Sequence, residues 1–302
     1  MTDLIPLRMG FPSPGGGSLP AWAAMQDGEF RSRGYEVEPV DFPGSSAVVR
    51  ALHAGDVQFA NIASPALLEA NLTVPGSDLV YLTGALNTFS HILITAEPTD
   101  GVEALRGQRI GARVTDGQVL DLVLWRYLLE RVGLDIDGDV AVVEAGTHGD
   151  LVEGVLSGAM DAALIIPPRA FDAVRRGARV LLEGPDLDLP YQLGGLVASR
   201  RYVTAAPDTA RAAVEAYVAG VRAVKSRAGL AEAIIRDHGR VSDPETIRLT
   251  ADFFRRAMSD PPYPSREGIA VVLDSLAGQL PQAHEWSPDD HIMDELVRQV
   301  AR

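Results

Sequence analysis

The sequence predicts an α/β protein built from two similar units. Two observations lead to this prediction. Short, apolar, strand-like segments alternate with helix-like segments, and one pattern of helix, glycine, strand, proline-containing loop and helix occurs twice. The copies are RALHAGDVQFANIASPALLEA (50–70) and VEGVLSGAMDAALIIPPRAFDAV (152–174), which align when Gly55 is placed on Gly158. Strands that alternate with helices are typical of parallel sheets covered on both faces, so we expect two α/β lobes.

The first unit follows from local patterns. Alternating apolar and polar residues mark half-buried strands, glycine marks helix ends, and serine or proline marks helix starts. We expect strands at 4–11, 35–42, 57–63, 79–86 and 90–97, and helices at 21–30, 43–56 and 64–72.

The second unit and the remainder follow in the same way. A short helix and a strand lie in 101–114, and TDGQVLDLVLWRYLLERVG (115–133) has the apolar periodicity of a long amphipathic helix. We expect strands at 139–146, 160–167, 178–184 and 194–203, and helices at 147–158 and 168–177. From about residue 207 onward the pattern is almost entirely helical.

Composition restricts the function classes. The chain has 302 residues, a net charge of −14 and no cysteine. A strongly acidic chain is not expected to bind nucleic acid or an anionic membrane surface. Without cysteine there are no disulfides, thiolate nucleophiles or cysteine metal sites. No apolar run approaches the ~18 residues of a membrane span, so we expect no direct membrane insertion.

The two lobes predict where a ligand binds. In open α/β sheets, ligands lie beyond the carboxyl ends of the strands, where helix N-termini offer free N–H groups. Two such edges that face each other would form a cleft able to close on a small molecule. A twice-used βα pattern also occurs in doubly wound enzymes, so this pattern alone leaves both alternatives open.

The chain resembles the solute-binding proteins of ABC transporters, in particular the nitrate, sulfonate, taurine and thiamine-precursor group. The resemblance rests on a helix that ends in Gly28-Glu29-Phe30, on GYEV at 34–37, on Gly44-Ser45-Ser46, and on ALHAGDVQ at 51–58. The elements ALRGQRIGAR and GLDIDGDVAVVEAG add to it. The family's usual Asp at the end of the ALHAGDVQ element is Gln58 here, whereas the second copy has Asp161.

The resemblance implies a two-lobe type II periplasmic-binding-protein fold. Lobe I would take residues 1–92, lobe II 93–190, and 191–302 would return to lobe I and add a C-terminal helical segment on it. Two crossovers, near Ser90–Thr95 and Tyr191–Leu196, would form the hinge.

The function implied is capture of a small organic molecule in the cleft for an ABC permease, without cofactor or metal. The alternative is a cytosolic decarboxylase, lyase or dehydratase on the same fold, acting on a small cyclic or aromatic acid. The chain as written has no signal peptide, which predicts a cytoplasmic protein. An omitted upstream leader would instead place it in the periplasm or outside the cell.

Candidate ligand-binding residues lie at predicted strand ends and helix starts. For lobe I they are Gly16, Ser18, Ser45, Ser46, Ser64 and Thr88; for lobe II and the hinge they are His91, Arg113, Thr115, Asp116, Gln118, Pro167 and Tyr191. The structural alternatives are a flexible glycine loop, helix caps at the serines, a capping Asp116 and a packed Tyr191. Trp22 is a further ring that could stack on a ligand or pack in the core.

His91 and His148 would be the proton-transfer groups if the protein were an enzyme, because histidine titrates near neutrality. Structural hydrogen bonding is the commoner role of a lone histidine. The segment HEWSPDDH (284–291) fits no metal-ligand motif, so no metal site is predicted.

The sparse basic residues at these edges predict the ligand class. Arg113 and Arg169 are the two that lie near lobe II strand ends, against Asp116 and Glu144. We therefore expect an organic ligand with at most one carboxylate or sulfonate, met first by Arg113, and not nitrate or bicarbonate. The alternative is an anion held by helix N-termini alone.

Overall fold

The computed structural model describes residues 4–12, 16–115, 118–119, 121–187, 189–239 and 241–301, with the backbone alone at 115, 118, 119 and 123. The strands are β1 (Ile5–Phe11), β2 (Tyr35–Asp41), β3 (Phe59–Ile62), β4 (Leu79–Tyr81), β5 (Leu86–Thr88), β6 (Ile92–Thr95), β7 (Arg109–Thr115), β8 (Gln118–Val119), β9 (Ala141–Ala145), β10 (Ala162–Ile165), β11 (Arg179–Glu183) and β12 (Pro190–Ser199).

The α-helices are α1 (Leu19–Gln26), α2 (Glu29–Ser32), α3 (Ser45–Ala54), α4 (Ser64–Thr73), α5 (Leu122–Glu130), α6 (His148–Leu156), α7 (Arg169–Arg175), α8 (Arg200–Ala205), α9 (Pro207–Ser226), α10 (Leu230–His238), α11 (Pro244–Ala257), α12 (Arg266–Ala277) and α13 (Glu295–Val300). Short 3₁₀ turns lie at Gly16–Ser18, Val102–Leu105, Gly184–Asp186, Pro281–Glu285 and Pro288–His291.

The described strands form two sheets. The first has the order β2-β1-β3-β12-β4, with β5 beside β12, and the second has the order β11-β6-β10-β7, with β8 and β9 beside β7. The sheets were expected to be parallel, and this prediction was wrong for several strands. β12 runs antiparallel to β3 and β4, and β6 runs antiparallel to β10 and β11.

The antiparallel strands are those that carry the chain from one sheet to the other. β6 enters the second sheet beside the carboxyl end of β10, where Ile92 pairs with Ile165. β12 enters the first sheet beside the carboxyl end of β3, where Gly195 pairs with Ile62. A strand that enters at the carboxyl edge must run against its parallel neighbours.

The sequence repeat corresponds to a structural repeat. Gly55 follows α3 with φ 79° and Gly158 follows α6 with φ 72°, a conformation that glycine adopts without steric cost. In both copies, the helix residue seven positions before this glycine packs against a second glycine, which lies in the neighbouring strand. A Cβ on Gly10 would be 2.9 Å from Val48, and a Cβ on Gly111 would be 2.6 Å from Leu151. Both strands therefore need glycine where the helix packs closely.

Gln58 and Asp161 also occupy equivalent positions. The Gln58 side chain accepts a hydrogen bond from the backbone N–H of Arg8 at 2.8 Å, and Asp161 accepts one from that of Arg109 at 2.8 Å. The departure from the family pattern at Gln58 thus preserves the contact that holds the strand start.

The C-terminal helices contact both sheets. α9 packs along α1 and α12 packs on β12, which places them on the first sheet. α12 also contacts α5, and α11 contacts α7, where the ring of Phe253 lies edge-on to Phe171 with centroids 6.3 Å apart. The hydrophobic core is therefore continuous across the two units through the C-terminal segment. Among the described residues, we find no helix with the length and apolar character to cross a membrane.

Candidate ligand-binding site

The turn at Gly16–Ser18 forms part of the carboxyl edge of the first sheet. A Cβ on Gly16 would lie 1.9 Å from the ring of Phe254 in α11, so this position requires glycine. Asn61, near the end of β3, donates to the carbonyl of Gly17 at 3.1 Å and accepts from the Tyr217 hydroxyl at 2.8 Å. Ser18 is buried beside Asn61. The turn is therefore held in place rather than flexible.

The predicted serine caps are wrong. Gly44, with φ 94°, occupies the N-cap of α3, so Ser45 and Ser46 lie inside the first turn and make no side-chain cap. Ala63 precedes α4, and the buried Ser64 donates its hydroxyl to the carbonyl of Gln192. Because Gly44 and Ala63 occupy the N-cap positions, the serines fall at least one residue too late in the chain to cap these helices.

Thr88 and Tyr191 lie near the crossovers. The half-buried Thr88 donates to the carbonyl of Leu189 at 3.4 Å. Tyr191 is buried with its ring 6.3 Å from that of Phe89, and burial raises the pKa of its hydroxyl. Tyr191 therefore packs in the core, as its structural alternative predicted. Pro167 is also buried.

Arg113 and Asp121 form an ion pair at the edge of the second sheet. The Asp121 carboxylate accepts from the backbone N–H of Arg113 at 2.9 Å, from its Nε at 3.0 Å and from its Nη2 at 2.6 Å. Asp121 is 1% exposed, so its charge needs a partner. One edge of the Arg113 guanidinium is thus occupied within the chain, which weakens the prediction that Arg113 is the first to meet an acid group.

The two histidines lie beside this ion pair. His91 is buried, and burial lowers its pKa from 6.5 to about 4; Arg113 adds to the effect and Asp121 opposes it. His148 begins α6, and burial followed by the charge of Arg113 lowers its pKa to about 3. The Nδ1 of His91 and the Nε2 of His148 are buried and have no hydrogen-bond partner among the described residues. Both imidazoles are neutral at pH 7.

Arg169 belongs to the same cluster. It is exposed at the start of α7, and its charge acts on His148. Its Nη1 lies 4.0 Å from the point that a Cβ on Gly149 would occupy. No described residue is a hydrogen-bond or ion-pair partner of its guanidinium.

Residues that follow β1 and β10 line a narrow pocket of about 10 Å³. It is lined from the first unit by Gly16, Leu19 and Trp22 and from the second by Pro168, with α10 and Thr250 of α11 closing the remaining sides. The ring of Trp22 is stacked between Phe11, at 5.0 Å, and His238, at 3.8 Å. Of the residues singled out in the sequence, Gly16 and Trp22 line this pocket.

The predicted long helix starts later than expected. α5 begins at Leu122, directly after Asp121. Gln118 belongs to β8, which pairs antiparallel with β7 through Thr115. Thr115 and Gln118 therefore do not open a helix, and Asp116 lies outside the described residues. The tertiary contact of Asp121 with Arg113 sets this helix start, which helical periodicity could not reveal. Within the described ranges, no group of three or more histidine and acidic side chains could hold a metal ion.

A family model matches the chain over residues 4–236, which is more than half of its length; the model describes the NMT1-like family. The chain belongs to the NMT1-like family. The predicted resemblance to solute-binding proteins is confirmed at the level of family and fold. No curated protein matches the chain.

Solved structures with the same fold share little sequence with this NMT1-like protein. The periplasmic aliphatic sulphonate binding protein SsuA from Escherichia coli has a TM-score of 0.74 at 19% identity, covering 99% of this chain and 98% of its own. The alkanesulfonate-binding protein SsuA from Xanthomonas axonopodis pv. citri, bound to MOPS, has 0.72 at 19%, covering 97% and 100%. The periplasmic nitrate-binding protein NrtA from Synechocystis PCC 6803 has 0.71 at 14%, covering 99% and 89%.

Sequence reasoning missed two residues that organise the site in this NMT1-like chain. Asn61 is a polar residue inside a short buried strand, a signal that could have been recognised because buried amides need partners. Asp121 lay within a predicted helix and carried no such signal. Arg169 was noticed as a basic residue near a strand end but was not placed among the candidates.

Proposed function

We propose that this NMT1-like protein is a solute-binding protein that captures a small organic molecule between two lobes and delivers it to an ABC permease. The observation that carries this proposal is the shared pocket, where Gly16 from the first-sheet edge and Pro168 from the second line the same space. Proteins of the same fold are named for binding alkanesulfonates and nitrate, which supports the proposal.

The proposed lobes are residues 1–92 with 191–302, and 93–190. Every strand of the first sheet ends before residue 89 or begins after 189, and the second sheet takes the strands between, which supports this division. The segments Ser90–Thr95 and Tyr191–Leu196 are the proposed hinge. Closure about two short crossovers would bring the two carboxyl edges together around a ligand.

The proposed ligand is organic, with at most one acid group, and is not nitrate or bicarbonate. The pocket is lined largely by apolar and aromatic side chains, which suit an organic body. Arg113, which is half-buried near the edge, already shares its charge with Asp121. A small inorganic anion has no apolar surface to place against this lining, whereas an organic ligand has.

A thermal-shift screen tests the proposal. Nitrate, bicarbonate, aromatic and heterocyclic acids, their amides, and cyclic amines would each be added to the full chain. Binding at a hundred times the dissociation constant should add about 2.7 kcal/mol to the free energy of unfolding. Stabilisation by organic compounds supports the proposal, whereas stabilisation by nitrate or bicarbonate alone contradicts the ligand class. Chemical conversion of a bound acid, followed by mass spectrometry, would favour the enzyme alternative.

A further inference from the structure

We propose that the second-sheet edge of the pocket is a subsite for one carboxylate or sulfonate group, and that Arg169 is the residue that pairs with it. This inference rests on the proposed solute-binding function and names the part of the ligand that the second unit recognises.

The two arginines at this edge differ in their partners. The guanidinium of Arg113 gives its Nε and Nη2 to the buried carboxylate of Asp121. The guanidinium of Arg169 is exposed and has no partner among the described residues. A free arginine presents a planar pair of donors that matches a carboxylate or sulfonate. Arg169, and not Arg113, therefore supplies the uncompensated positive charge of this edge.

Arg169, the first residue of α7, lies beside the start of α6. Its Nη1 lies 4.0 Å from the place of a Cβ on Gly149, the second residue of that helix. Thr147 and Asp150 cap each other at this end, with the Thr147 hydroxyl accepting from the Asp150 N–H at 3.2 Å. The backbone N–H groups of His148 and Gly149 lie in the first turn of α6, where a helix provides no acceptor for them, so they can donate to a ligand. An acid group beside Arg169 would receive these N–H groups as well.

Two imidazole nitrogens also lie near this edge. His91 is 3% exposed, and its buried Nδ1 has no hydrogen-bond partner in the part of the chain that the structure describes. The same holds for the buried Nε2 of His148. Buried polar atoms are nearly always hydrogen-bonded, so each of these nitrogens is available to a polar atom of a ligand. His148 directly precedes Gly149, the residue beside the Nη1 of Arg169, and the charges of Arg169 and His91 both act on His148.

Together these features define the ligand. One end carries the acid group that pairs with Arg169. A polar atom near that end meets the neutral imidazoles, which can each donate or accept one hydrogen bond. The remaining body is apolar or aromatic, because Leu19, Trp22 and Pro168 line the adjoining pocket.

The test measures binding of matched acid and amide probes by calorimetry. Nicotinate is compared with nicotinamide, and benzoate with benzamide, on the wild-type chain, on Arg169→Gln and on Arg175→Gln. Arg175 lies at the other end of α7 and pairs with Asp172 at 2.8 Å, so it is the matched control. Because both arginines are exposed, neither change should disturb the fold, and circular dichroism would verify this.

We expect the wild type and Arg175→Gln to bind an acid more tightly than its amide. Arg169→Gln should weaken acid binding by about 10- to 100-fold, because this is the affinity that a hydrogen bond to a charged group usually contributes. The same variant should change amide binding by less than about twofold. Equal acid affinities in Arg169→Gln and wild type would overturn the inference. So would wild-type binding of amides in preference to acids, although the solute-binding function would stand. Failure of every organic probe to bind would count against the proposed function itself.

Discussion

The ring of Phe254 in α11 occupies the space that a side chain on Gly16 would need, since a Cβ there would lie 1.9 Å from it. This contact joins the turn after β1 to a C-terminal helix whose neighbouring Phe253 packs on Phe171 of the second unit. The glycine turn of the candidate site is therefore linked through α11 to the opposite side of the pocket.

Replacement of Gly16 should show this link. We expect Gly16→Ala to lower the free energy of unfolding by about 1–3 kcal/mol, because the added methyl overpacks the contact. Adding Phe254→Leu should recover part of the loss. Gly278→Ala is the control, since its Cβ would meet nothing closer than 3.9 Å. Urea unfolding measures all four proteins, and a Gly16→Ala variant as stable as Gly278→Ala would contradict the contact.

The ion pairs of α11 give a second prediction. Arg256 donates to Glu183 and Asp186 of the second unit. The described partners of Arg248, Glu245 and Asp252, belong to its own helix. Exposed pairs contribute about 0–1 kcal/mol each. Arg256→Gln should therefore speed amide hydrogen exchange in residues 180–187 by several-fold, because local opening becomes easier.

Arg248→Gln serves as the matched control for this exchange experiment and should leave residues 180–187 unchanged. If both variants changed exchange there to the same extent, α11 would act through its own helical stability and not as a tie between the two units.

Removal of the Asp121 carboxylate should be costly. Asp121→Ala leaves the Arg113 charge without its buried partner, and we expect a loss of about 3–5 kcal/mol in the free energy of unfolding. Asp137→Ala, which removes an exposed partner of Arg126, should cost less than about 1 kcal/mol. The double variant Asp121→Leu with Arg113→Met should be more stable than Asp121→Ala. Denaturant unfolding of the three variants would contradict the buried pair if Asp121→Ala matched Asp137→Ala.

Buried histidines predict acid sensitivity. Burial lowers the pKa of His91 and of His291 from 6.5 to about 4. Between pH 4 and pH 6.5 the unfolded chain therefore binds more protons than the folded chain. The free energy of unfolding keeps its full value above about pH 6.5 and falls as the pH drops toward 4. Each histidine contributes on the order of 3 kcal/mol to this fall.

His291→Asn isolates one of these contributions. The His291 ring is held by Asn71 at 2.9 Å and stacks on Trp286, so the variant loses stability at every pH. The difference in its free energy of unfolding between pH 7.5 and pH 5 should nevertheless be smaller than that of the wild type. An unchanged difference would show that His291 does not become protonated on unfolding in this range.

Local sequence patterns were sufficient for much of the fold, because glycine ends and apolar periodicity act over a few residues. The repeat around Gly55 and Gly158 is the clearest case, and its equivalent contacts at Gln58 and Asp161 follow from it. The direction of β6 and β12 could not be predicted, since each strand looks locally like its parallel neighbours. Strand direction depends on which end of the sheet the chain enters.

The candidate site was less predictable because its decisive contacts join distant parts of the chain. Arg113 and Arg169 look alike in sequence, and only the position of Asp121 distinguishes the paired arginine from the free one. Ser45 and Ser64 have the composition of helix caps, but the backbone at Gly44 and Ala63 starts each helix one residue earlier.

Small-angle X-ray scattering tests the central claim most directly. The full chain would be measured alone and with saturating amounts of the organic compound from the thermal-shift screen that stabilises it most. Capture between two lobes predicts a smaller radius of gyration in the saturated protein, with no change on addition of a compound that gives no thermal shift. An identical radius of gyration with and without the stabilising compound would contradict closure around a solute.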